Sequence, residues 1–63
     1  MNSREKDNLG CLKLLTSYLT RHSELRFIQA LWALGVVDRE DRFYEEPSVT
    51  LKRMQEMDNH HDK

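Results

Sequence analysis

Apolar residues recur along this chain in three blocks, each at helical spacing. In the first, Cys11, Leu12, Leu15, Tyr18 and Leu19 fall within an arc of about 120° when successive residues are placed 100° apart. Leu9 and Leu14 flank that arc, while Lys13, Thr16, Ser17, Thr20 and Arg21 mostly occupy the other side. This is the pattern of an amphipathic helix over Leu9 to His22. Gly10 costs roughly 1 kcal/mol inside a helix, so the regular part is expected to begin near it, with residues 1–8 irregular. Arg21 and His22 close the block with cations where the helix dipole favours them.

Ser23 suits the N-cap of a second helix, with Glu24 in its first turn and Gly35 as the residue just past its end. On that helix, Glu24 to Leu34, the residues Leu25, Phe27, Ile28, Leu31, Trp32 and Leu34 cover roughly half the circumference. Only Arg26 and Gln29 are polar on the opposite strip, beside Ala30 and Ala33. So wide an apolar face needs cover from more than one direction. Val36 and Val37 extend the apolar run as an extended connector, with a very short strand as the alternative.

The segment from Asp38 to Glu46 reads as a charged loop carrying the aromatic pair Phe43-Tyr44. Pro47 fits the first position of a third helix, with Glu45 and Glu46 near its positive end. Thr50, Leu51, Met54 and Met57 share one face of that helix. The tail from Asp58, including His60 and His61, is expected to be disordered. The fold class is therefore all-α: a small three-helix domain built from a helical hairpin, a charged loop and a short third helix.

Length changes the picture. A chain of 63 residues makes one domain with a modest core, and domains this small usually need a disulfide, a metal or oligomerisation. Cys11 is the only cysteine, which excludes an internal disulfide and a Cys-based zinc cage. It reads as a small buried hydrophobe in a reducing compartment. A homo-oligomer is thus expected, and so is a cytoplasmic location. The N-terminus is polar, and no apolar run approaches the ~18 residues of a membrane span.

Charge narrows the function classes. Ten basic and eleven acidic residues leave a net charge of −1, against the basic excess of a general nucleic-acid binder. A local basic face from Arg4, Lys6, Lys13 and Arg21 with Lys52 and Arg53 keeps a small DNA-binding regulator as an alternative. The connection from Gly35 to Pro47 is too long for a helix-turn-helix turn of about three or four residues. No catalytic grouping, phosphate-cradling loop or cofactor motif stands out, so an enzyme is not expected, nor a cofactor. Adjacent His60 and His61 on a polar tail do not converge on a metal.

The partner-binding candidates are Arg26, Gln29, Trp32, Phe43, Tyr44, Glu45 and Glu46. Arg26 can pair with Asp41, Glu45 or Glu46 to hold the loop over the second helix, or present itself to an anion or a partner's acid. Phe43 is expected inside, where burying a ring yields about 1.5–3 kcal/mol, and Tyr44 partly exposed. Trp32 is expected in the core; at an interface it would be the best anchor.

The residues Leu25-Arg26-Phe27-x-Gln29-Ala30-Leu31, followed by Asp41-Arg42-Phe43-Tyr44-Glu45-Glu46 and Leu51, form an LRFxQxL … DxFYEE pattern. It resembles a group of small, uncharacterised bacterial and phage proteins over roughly Ser23 to Met54, departing at Ile28 and Ala33, where Gly and Asn are common. The resemblance implies a bacterial or phage source and a second helix that works with the FYEE loop as one piece. It implies no activity. The expected function is a self-associating protein-interaction module, phage- or prophage-encoded, that modulates a host protein. A third possibility is an anionic-ligand binder with Arg26 and Tyr44 at a protomer interface.

Overall fold

The computed structural model describes residues 2–61. Three helices, α1 (Ser3–Arg21), α2 (Phe27–Ala33) and α3 (Pro47–His61), form the all-α domain, and among the described residues there is no strand. Most inter-helix packing is between α1 and α3, with α2 laid on the pair.

Helix α1 starts well before Gly10. Asn2 caps it, its Oδ1 accepting the Glu5 N–H at 2.7 Å, which satisfies one of the orphan donors of the first turn. Gly10 does not break the helix because its missing side chain is space for α3. A Cβ there would stand 3.0 Å from Leu51 Cδ2. The segment expected to be irregular up to residue 8 is therefore helical from Ser3.

Helix α2 is shorter than the sequence suggests, and Ser23 does not cap it. Residues 22–25 make a turn, closed by the Leu25 N–H on the His22 carbonyl at 3.0 Å, and this turn lets Leu25 pack on the core. Arg26 takes the N-cap position, where its N–H is accepted by Gln29 Oε1 at 2.9 Å. That is the returning half of a capping box. The other end matches expectation: Gly35 has φ +74°, its N–H bonds the Trp32 carbonyl, and the Val36 N–H bonds the Leu31 carbonyl. This pair of bonds is a Schellman close, and it needs the left-handed conformation that glycine adopts without a steric cost.

Helix α3 opens on Pro47 as expected but runs on to His61. Asp58, assigned by sequence to a disordered tail, is buried, and both its carboxylate oxygens accept from one Nη of Arg21, at 2.9 and 3.0 Å. That contact ties the end of α1 to the last turns of α3. Asp62 and Lys63 lie outside the described residues.

The core is small. Tyr18, Ala30, Leu34 and Met54 are fully enclosed, with Cys11, Leu14, Leu15, Leu19, Leu25, Ala33 and Val36 packed around them. Trp32, expected there, is 49% exposed, and Phe27 and Ile28 on the same helix are 56% and 58% exposed. Ala30 of α2 and Leu34 just past it face the core, and helical phase puts Ile28 and Trp32 on the opposite side. Leu12 of α1 is also exposed.

Candidate functional site

The loop from Val36 to Glu46 has no regular structure, yet side-chain bonds hold it at several points. Asp38 Oδ1 accepts the Glu40 N–H at 2.9 Å, Asp41 Oδ1 accepts the Phe43 N–H at 3.0 Å, and the Arg42 carbonyl accepts the Glu45 N–H at 3.0 Å. The first two are Asx turns, in which the aspartate closes the backbone two residues on.

Arginines then lock the loop to α3. Arg53, on α3, donates from Nε to the Gly35 carbonyl at 2.8 Å and from both Nη atoms to the Glu45 carboxylate. Thr50 donates its hydroxyl to Glu45 Oε1 at 2.7 Å. Arg42 approaches Glu45 at 3.3 Å and pairs with Asp38 through Nε at 2.9 Å and an Nη at 2.7 Å. One carboxylate thus sits between two guanidiniums, and its side chain is only 14% exposed. The Arg53 hydrogen bonds first, then the Thr50 hydroxyl, hold the Glu45 carboxyl down to about 2. Arg42 likewise holds Asp38 below the usual carboxylate range, helped by the Glu40 N–H. The positive φ at Gly35 serves this clamp as well as α2, since a Cβ there would press on Arg53 Cγ and Cδ at 3.3 Å.

The clamp displays two rings. Phe43 and Tyr44 are 83% and 91% exposed, the most exposed large hydrophobics of the described residues. Their rings meet edge to face, with centroids 5.0 Å apart and planes at 75°, a favourable aromatic geometry. Phe43 therefore does not plug the open side of α2, as the sequence suggested. The backbone is committed by Asp41 and Arg42 to a turn that points both rings outward. With Arg4, Glu45, Glu46 and Pro47 they line an open cleft of about 290 Å³.

The remaining candidates fall differently. Glu45 pairs with Arg53 and Arg42, and Glu46 pairs with exposed Arg4 at 2.6 Å; neither meets Arg26. The Arg26–acid pairing expected from sequence is thus replaced by a clamp through α3. Its reason is reach: Arg53 on α3 stands directly under the loop, whereas Arg26 begins α2. Arg26 is exposed, and Gln29 is engaged in capping α2. Tyr44 shares its cleft with Arg4 and not with Arg26.

Sequence reasoning gave Arg42 no role, assigned Arg53 to a basic face and Thr50 to the face of the third helix, and so missed the clamp they form. The spacings of Asp38 to Arg42 and Arg42 to Glu45, at i,i+4 and i,i+3, were the available signal. The basic face needed for DNA is thinned by these contacts, because Arg4, Arg21 and Arg53 are each paired with a carboxylate. Among the described residues no group of three or more His, Cys, Asp or Glu is placed to hold a metal ion, and no helix is long and apolar enough to cross a membrane. Cys11 donates weakly to the Pro47 carbonyl at 3.8 Å, and burial raises its thiol pKa, with Asp7 and Glu45 adding to the rise. That is the opposite of what a reactive thiolate requires. None of the family models, curated proteins and solved structures compared with the chain matches it.

Proposed function

We propose that this chain is a small helical protein-interaction module that self-associates and modulates a second protein, with the Phe43–Tyr44 loop as its contact surface. The observation that carries this reading is an edge-to-face aromatic pair, 83% and 91% exposed, on a loop held by a shielded Arg–Glu–Arg clamp. Leaving two rings in water forgoes about 1.5–3 kcal/mol each. Aromatic side chains on a fixed backbone lose little entropy on binding and dominate interface energetics. Supporting a bacterial cytoplasmic setting, phage or host, are the lone half-buried Cys11 and the LRFxQxL … DxFYEE pattern.

The test compares the chain with a Phe43→Ser/Tyr44→Ser double variant as baits in bacterial lysate, after circular dichroism has shown equal helicity. Proteins retained by the wild type and lost from the double variant support the reading. Equal retention by both, or retention of nothing by the wild type, refutes it.

A further inference from the structure

Helix α2 carries a second exposed apolar surface, separate from the aromatic loop. Phe27, Ile28 and Trp32 are each about half exposed; Ile28 and Trp32 are i,i+4 neighbours on the helix. The two surfaces share no residue. Phe43 and Tyr44 share a cleft with Arg4, near the start of α1, whereas Phe27 opens α2 after the turn that follows Arg21 at the end of α1. We propose that α2 is the self-association face: a second copy of this chain packs its own α2 antiparallel against Phe27, Ile28 and Trp32 about a twofold axis. This rests on the reading of the chain as a self-associating module and names the face used.

Three features favour a second copy as the occupant. First, Phe27–Ala33 contains no charged residue. In a twofold contact every side chain near the axis meets its own copy, so a charge there would repel itself. The stretch is suited to facing itself. Second, Arg26 sits at the N-cap, at the edge of the uncharged stretch, so an antiparallel pairing keeps the two copies' guanidiniums at opposite ends of the contact, away from each other. Third, Phe27, Ile28 and Trp32 together offer roughly 300–400 Å² of exposed apolar surface, given the area such side chains bury. That is nearly half of the about 800 Å² that each partner contributes to a standard interface. A weak, reversible dimer follows, in the micromolar range. Such a dimer keeps both aromatic loops free and so presents two contact surfaces to its target, raising avidity when the target is itself paired.

Sedimentation velocity on the full chain from about 10 micromolar to about 1 millimolar tests this. The expected result is a mass rising from 7.6 kDa toward twice that value. Ile28→Glu should weaken association at least tenfold with unchanged circular dichroism, because Ile28 lies outside the core. Trp32→Arg serves as a second disruptor, and Phe43→Ser/Tyr44→Ser should dimerise like the wild type. A wild type that stays monomeric throughout overturns the proposal. So does a dimer untouched by both α2 variants, or one abolished by the loop variant instead. Lysate capture reads the loop alone, so its failure and the failure of dimerisation are distinguishable.

Discussion

Replacing Glu45 with Gln keeps the side chain's shape and removes the one negative charge between Arg42 and Arg53. In the folded chain the Glu45 carboxyl lies at about 2, against an ordinary value of 4.5. At about 1.36 kcal/mol per pKa unit that difference corresponds to ~3.4 kcal/mol, and solvent screening at a loop lowers it to about 2–3 kcal/mol. A domain of this length is stable by about 3–9 kcal/mol, so the variant should lose a large share of it at neutral pH. Because folding depresses this pKa, the ionised carboxylate stabilises the fold, fully so above 4.5, and the contribution fades as pH falls toward 2. Urea unfolding of both proteins at several pH values reads the difference directly. It should be about 2–3 kcal/mol near pH 7 and shrink steadily between pH 4.5 and 2. A gap that is flat over that range, or below about 0.5 kcal/mol at neutral pH, would refute the clamp as the element that holds the loop.

Gly35→Ala forces a Cβ into a left-handed position and against Arg53, so it should cost about 1–3 kcal/mol in urea unfolding. Met54→Ala should cost about 2–5 kcal/mol, whereas Trp32→Ala should cost less than about 2 kcal/mol; thermal unfolding at low protein concentration separates the two. Asp58→Ala removes the carboxylate that accepts from the Arg21 guanidinium and should cost about 1.5–3 kcal/mol, with loss of amide protection concentrated in the last turns of α3 by hydrogen exchange. Gly10→Leu should destabilise by about 1–3 kcal/mol through collision with Leu51, checked by the same unfolding assay.

Single-residue signals in the sequence were followed at Pro47 and Gly35 and failed at Ser23, which caps nothing because a turn precedes α2. Pro47 opens α3 and Gly35 closes α2, because each adopts a backbone conformation that few other residues take. The amphipathic face of α1 and the Met54 face of α3 were legible from period alone. What the pattern could not convey was contact between distant segments. Gly10 reads as a helix breaker until α3 is seen against it, and Asp58 reads as tail until Arg21 reaches it. The same limit applies to the site. Phe43 and Tyr44 were legible as candidates from their place in a charged loop, yet hydrophobicity alone placed Phe43 inside, since nothing local shows that Asp41, Arg42 and Arg53 hold the turn outward. Arg26 attracted attention as the one cation on an apolar helix, while the clamp was built from Arg53, whose neighbours in sequence give no hint of Gly35 above it.

That the clamped loop is a contact surface is tested most directly by crosslinking in living bacterial cells. A benzoylphenylalanine placed at position 44 substitutes for an exposed ring without disturbing the clamp, and the same group at exposed Lys52 serves as the control. Discrete heavier adducts from position 44 that are absent from position 52, and that fade when Glu45→Gln loosens the loop, are the expected result. No adduct from position 44, or the same adducts from both positions, would contradict it.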